Sequence, residues 1–171
     1  SIHLGGYIVI GGEQKALDFL IKELPPEDKY PLQIPYHSAF HTPLLDNIRP
    51  LAESSFKNIS FDKPAIPLVD GRGHIWTPWS ASVDELYNYT LHYQVTKTYD
   101  FSSSVMVALK EFSPDNVILL GPGNSLGGPV AQVLIDHSWN DLNSKEAFIE
   151  SQNKDPFLIS MSMEEQRDMV L

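Results

Sequence analysis

Two histidines and one serine carry most of the chemistry that this sequence can support. The histidines sit in Tyr36-His37-Ser38-Ala39-Phe40-His41-Thr42-Pro43-Leu44-Leu45. A histidine at a strand-to-helix junction is open enough to exchange protons, and its ordinary pKa suits acid–base work near neutrality. The plainer alternative is that either ring caps or packs a loop. The i, i+4 spacing of His37 and His41 also raises a metal site, but no Glu follows His37. Pro43 moreover argues against the helix that would bring both rings to one face, so no metal is expected.

The serine is Ser125, in Gly123-Asn124-Ser125-Leu126-Gly127. The pattern G-x-S-x-G between a strand and a helix is the context of a nucleophile elbow, so a free-standing serine hydrolase using Ser125 with His41 or His137 is one reading. The order of a hydrolase triad, serine then acid then histidine, puts His41 on the wrong side of Ser125. His137 follows by only 12 residues, with no clear acid or strand between. The plainer reading of the glycines is a tight turn that lets strand and helix approach closely.

Periodicity predicts the elements that must hold these residues. Tyr7-Ile8-Val9-Ile10, closed by Gly11-Gly12, reads as a buried strand. Helical spacing of Ala16, Leu17, Leu20, Ile21 and Leu24 follows, stopped by Pro25-Pro26. Residues 32–35 offer a second strand, making a strand–helix–strand unit of the first 37 residues. A helix over residues 43–56 carries an awkward Pro50, which marks a kink or break. Residues 66–69 read as a strand, Asp70-Gly71-Arg72-Gly73 as a turn and residues 75–82 as loop. Helices are predicted over residues 83–96 and 101–112, the second with Val105, Ala108, Leu109 and Phe112 inward. Asn116 to Leu120 is the strongest strand, and residues 129–135 continue as a helix. Beyond His137 the sequence turns polar and reads as a tail, docked near Phe157-Leu158-Ile159. The aromatics Trp76, Trp79, Tyr87, Tyr89, Tyr93 and Tyr99 either line a partner surface or pack a long excursion onto the body.

Composition narrows the function classes. Of 171 residues, 42% are hydrophobic, ordinary globular usage for a single domain of this length. The net charge of −10 disfavours a nucleic-acid partner. With no cysteine, there is no disulfide, thiolate metal site or thiol nucleophile. No apolar run approaches the length of a membrane span and no signal peptide opens the chain, so a soluble, cytoplasmic protein is expected. The start at Ser1-Ile2, almost directly into a strand, suggests a cleaved, processed or partial chain.

Phe40-His41-Thr42-Pro43-Leu44-Leu45 closely resembles the motif around the catalytic histidine of malonyl-CoA:acyl-carrier-protein transacylases and polyketide synthase acyltransferase domains. Four further segments agree in order and approximate spacing. Ile8-Val9-Ile10-Gly11-Gly12 resembles the family's "VIAG" strand, and residues 59–69 its "I-F-x-x-P-x-x-P-V" segment. Gln94-Val95-Thr96 with Phe101 and Val105 resembles "Q-L…W…S-V", with about one extra residue. Val117 to Gly123, with Leu126 and Gly128, resembles the terminal "E-V-G-P-G-x-x-L-x-G", in which Ser125 holds a variable position. The resemblance covers residues 7–128.

It implies an α/β fold: part of a ferredoxin-like small subdomain over residues 1–37, then part of an α/β-hydrolase-like acyltransferase core over 38–136, with a polar tail over 137–171. It implies transfer of malonyl from malonyl-CoA to an acyl-carrier protein through a serine acyl-enzyme, in fatty-acid or polyketide synthesis. His41 would be the general base and the main-chain carbonyl of Gln94 would orient it. Ser38 and Phe40 match the malonyl-selective "H-A-F-H" form, with Ser38 departing from its first histidine; Phe40 would crowd an α-methyl branch. No metal or redox cofactor is implied, phosphopantetheine arriving on the carrier protein. An acidic carrier would need a local basic patch on this acidic chain, for which Arg72 and Lys97 are candidates. The family's G-H-S-x-G nucleophile, its carboxylate-binding Arg and its G-x-x-x-Q loop are not found between Ser1 and His41. The chain is then the second portion of a transacylase, or its partner half is a separate chain. A non-catalytic binding or scaffold module is the third alternative.

Overall fold

Short strands and short helices alternate along the chain, and the computed structural model describes residues 1–170 of it. The N-terminal elements are β1 (Ile2–Leu4), β2 (Tyr7–Val9), α1 (Gln14–Glu23), a 3-10 segment (Pro43–Ile48) that runs into α2 (Arg49–Phe56), β3 (Leu68–Val69) and β4 (Ile75–Trp76). Then come α3 (Val83–Asn88), a π-helical turn (Tyr89–Tyr93), α4 (Gln94–Thr96), β5 (Tyr99–Asp100) and α5 (Phe101–Phe112). The C-terminal elements are β6 (Val117–Leu119), α6 (Gly127–Asp136), α7 (Lys145–Lys154), β7 (Leu158–Ser160) and α8 (Glu164–Arg167). Strands pair in the orders β2-β1-β5, β3-β4 and β6-β7. The protein is mixed α/β, and among the described residues no helix is long and apolar enough to cross a membrane.

The chain divides into two compact units. The first comprises Ser1–Ile2, Ile8–Leu68 and Ile75–Tyr99. Its core is aromatic: Trp76, Ala81, Leu86 and Tyr89 are buried and Phe61 packs against them. The Ser82 hydroxyl accepts from the Glu85 N–H at 3.3 Å, and Asp84 and Glu85 complement the N-terminal end of α3. The aromatic-rich stretch therefore splits, with Trp76 and Tyr89 in the core and Trp79 exposed.

Three expectations for this unit are corrected. The strand predicted over residues 32–35 does not form; Pro31 and Pro35 bracket it and supply no N–H for a ladder. The helix predicted over residues 43–56 breaks next to Pro50 as expected, but its first part is 3-10, up to Ile48, and only residues from Arg49 are α, with Pro50 in the first turn, where its missing N–H costs nothing. Residues 75–76, predicted as loop, form β4 beside β3. Helix α1 forms as its periodicity predicts, yet buries none of its residues.

The second unit comprises His3–Tyr7, Val69–His74 and Asp100–Leu171. Leu109, Val130, Val133, Leu134, Leu142, Phe157 and Leu158 form its core. Helix α5 spans its predicted residues; the Asp100 carboxylate accepts from the Ser103 N–H at 2.8 Å and Ser113 ends the helix in the left-handed region. Strands β6 and β7 run parallel, with Val117 opposite Leu158, Ile118 opposite Ile159 and Leu119 opposite Ser160. Gly5, at φ +50°, presses against the main chain of Pro129, where a Cβ has no room.

The segment expected as a polar, docked tail over residues 137–171 has secondary structure of its own. It contains α7, β7 and α8, and residues 157–160 are buried throughout. The apolar residues are few but concentrated, and the polar composition belongs to the solvent side of α7, which buries no residue.

Candidate functional site

His41 lies at the end of a run of tight turns rather than on a helix. The Phe40 N–H donates to the Ser38 carbonyl at 2.8 Å, and the Thr42 hydroxyl to the Ala39 carbonyl at 2.7 Å. The buried Thr42 then precedes Pro43, which starts the 3-10 segment. His41 itself sits at φ +62°, a left-handed conformation that histidine enters more readily than most residues but that still needs outside support.

Support comes from the end of α4. The last carbonyls of any helix lack an intrahelical N–H, and those of Gln94 and Val95 face the His41 loop. The His41 main-chain N–H donates to the Val95 carbonyl at 2.8 Å, and His41 Nδ1 meets the Gln94 carbonyl at 2.5 Å. A carbonyl only accepts, so Nδ1 carries a proton in this contact, and in the neutral ring the lone pair is then on Nε2. Nε2 makes no hydrogen bond with the described residues. Tyr99 packs beside the ring, with centroids 5.3 Å apart. The Ser1 hydroxyl donates to the Phe40 carbonyl at 2.8 Å, holding the loop on its other side.

The turn that delivers Gln94 is unusual. The Gln94 N–H bonds to the Tyr89 carbonyl, five residues back, so the turn is π-helical. The core around Tyr89 holds it: Trp76 packs on Tyr89 at 6.0 Å and Tyr93 stacks on it at 5.9 Å. Sequence periodicity gives no signal for this turn, nor for Tyr99 as a wall of the ring.

Of the other predicted residues, Phe40 stands beside His41 with centroids 6.4 Å apart and its side chain 48% exposed, and Ser38 is exposed. His37 lies exposed in the loop between residues 36 and 40. Among the described residues, no three His, Asp or Glu side chains come together as metal ligands.

Arg72 is engaged in the second unit. Its guanidinium bonds to Asp70 Oδ2 at 2.6 and 3.1 Å, while the N–H groups of Arg72 and His74 bond to Oδ1 at 2.8 and 3.1 Å. The Ser104 hydroxyl donates to the Asp70 carbonyl at 2.6 Å, tying the turn to α5. Burial pushes the Asp70 carboxyl up, but the Arg72 and His74 donors outweigh it and hold the group below the usual carboxylate range. The charge of Arg72 is thereby spent on the turn, leaving Lys97 as the exposed cation of the pair.

Ser125 lies in the second unit, between β6 and α6. The positive φ that marks a strained turn falls on Gly121 and Gly123 (+87° and +74°) and not on Ser125. Its hydroxyl makes no hydrogen bond with the described residues, and His137 is exposed at the end of α6. The structure brings Gln94 and Phe40 to His41; it does not join Ser125 to His137.

Comparison of this chain with protein-family models, with curated proteins and with solved structures finds no match.

Proposed function

We propose that this chain supplies the general base of a serine-dependent acyltransferase that moves malonyl from coenzyme A to an acyl-carrier protein. The observation that carries the reading is the orientation of His41. A main-chain carbonyl holds Nδ1–H, which leaves Nε2 as a base of fixed direction, the part an acid plays in a conventional triad.

In the proposed reaction, Nε2 takes the proton from a serine hydroxyl as that oxygen bonds to the thioester carbon. The carbon–sulfur bond breaks and coenzyme A leaves as its thiol, taking the proton back from His41. In the second half, Nε2 takes the proton of the carrier's phosphopantetheine thiol as its sulfur bonds to the acyl carbon; the ester carbon–oxygen bond breaks and the serine oxygen takes the proton back from His41. The serine would come from polypeptide other than these 171 residues. Phe40 beside the ring would narrow the acyl site against branched groups. On the same reading, the N-terminal segment is part of a ferredoxin-like subdomain and β6 with α6 part of a hydrolase-like core.

The test is malonyl transfer to a carrier protein by the native protein or complex that contains this chain. His41→Ala is expected to lower the rate on the order of 10³-fold or more. An unchanged rate would remove His41 from the chemistry.

A further inference from the structure

His92 is a buried titratable side chain with no part in the proposed reaction. It lies in the π-helical turn, shortly before Gln94, and its side chain is only 11% exposed. Its Nε2 lies 3.4 Å from Glu53 Oε1 on α2, while Nδ1 is buried and makes no hydrogen bond among the described residues. A carboxylate only accepts, so Nε2 carries a proton in this contact, and in the neutral ring the lone pair is then on Nδ1. The surroundings of the ring are aromatic: Tyr87 meets it edge-on at 6.2 Å, and Phe61 meets Tyr87 at 5.3 Å. Among such neighbours an apolar side chain avoids an unmatched nitrogen, so packing alone gives no reason for a histidine here.

The position of Glu53 supplies a reason. His41 leads through Thr42 and the 3-10 segment (Pro43–Ile48) directly into α2, and α2 packs back against the π-helical turn. The two stretches of chain that carry His41 and Gln94 are therefore joined twice. The first junction is made by the His41 loop with the carbonyls of Gln94 and Val95; the second, further along the chain from His41, is Glu53 with His92. Arg49 Nε donates to the same Glu53 oxygen at 3.1 Å, which fixes where that carboxylate points. The Thr96 hydroxyl donates to the His92 carbonyl at 3.1 Å, so the main chain and the ring of His92 are both anchored. A wide turn is disfavoured against a regular α-turn and needs outside contacts of this kind to persist.

We infer that His92 and Glu53 are a positioning pair for the His41 base: their contact sets the π-helical turn so that the Gln94 carbonyl meets Nδ1 of His41. Both act through Gln94 and not on a reacting atom. The inference rests on the reading of His41 as a base oriented by Gln94, and adds what holds that carbonyl in place. The effect is one of geometry more than of stability. Glu53 is 47% exposed, and an ion pair half in solvent contributes little to folding.

The test is the ring tautomer of His41, read by nitrogen NMR in the 171-residue chain and its variants. Glu53→Ala, at an exposed site that does not threaten the fold, and His92→Phe should each lower the ratio of Nδ1–H to Nε2–H by about fivefold or more. Glu53→Gln keeps an oxygen acceptor toward His92, and His92→Gln keeps an N–H donor toward Glu53, so both should stay closer to the parent ratio. The urea midpoint of Glu53→Ala should remain near the parent's, which separates a change of alignment from a loss of structure. In the complete acyltransferase Glu53→Ala should lower kcat about tenfold with KM little changed. A folded Glu53→Ala that keeps the parent tautomer ratio overturns the inference, whatever His92→Phe does. A parent whose neutral ring carries its proton on Nε2 overturns the Gln94 contact and the inference with it. A shifted ratio in Glu53→Ala, with no malonyl transfer by the native complex, sustains the pair and overturns the acyltransferase reading instead.

Discussion

The ring of His41 is held by an atom of Gln94 that no side-chain substitution at Gln94 removes, because the acceptor is its main-chain carbonyl. Gln94→Ala should therefore leave acyl transfer within about threefold of the parent while His41→Ala abolishes it. A large loss in Gln94→Ala would show that the amide, not the carbonyl, acts.

The same contact fixes a tautomer that can be read without any substrate. Nitrogen NMR of the isolated chain should show the neutral form of the His41 ring carrying its proton on Nδ1. The reverse assignment would disconnect the ring from Gln94.

Asp70 should make stability depend on acid. Its carboxyl titrates lower folded than unfolded, so its contribution is complete above the unfolded pKa and is lost as pH falls through the folded one. Asp70→Asn should cost about 2–3 kcal/mol near neutral pH and flatten the decline in stability below about pH 4. Urea unfolding across that range checks both, and an unchanged acid slope would separate Asp70 from it.

Gly5 has no room for a side chain against Pro129 and sits in the left-handed region. Gly5→Ala should lower stability by about 2 kcal/mol or more, read as a fall in thermal midpoint. A neutral result would mean that the turn between β1 and β2 can move away from α6.

Gln152 is polar and only partly buried, yet it satisfies the N–H groups of Phe157 and Leu158 and the carbonyl of Leu158. Gln152→Ala leaves those groups unmatched and should cost about 1–3 kcal/mol, more than an ordinary surface change. Gln152→Glu keeps the acceptor but turns a carboxylate toward the Leu158 carbonyl, and should recover only part of the loss. Equal stability of all three proteins would remove the amide from the sheet edge.

Much of this is legible in the sequence where local physics decides. The stripe of Val105, Ala108, Leu109 and Phe112 marks α5, and the run around Ile118 marks β6. The His41 loop and Gln94 are legible as motif residues, though not the backbone geometry that joins them. What fails is what depends on long-range partners. Residues 32–35 have strand-like composition but no ladder between their prolines, and Leu158 and Ile159 read as a docking point but not as a strand until β6 pairs with them. Arg72 reads as a docking cation until its contacts with Asp70 are seen.

The π-helical turn makes the spacing of the His41 site a matter of chain length as well as residue type. The wide turn takes in one residue more than a regular α-turn over nearly the same rotation, so removing one residue between Tyr89 and Tyr93 would leave the Gln94 carbonyl close to its present direction, whereas removing a second would swing it by about 100°, away from His41. Substitutions at the surface of this turn can be absorbed one by one. A second deletion would leave every motif residue in place and still dismantle the alignment between them.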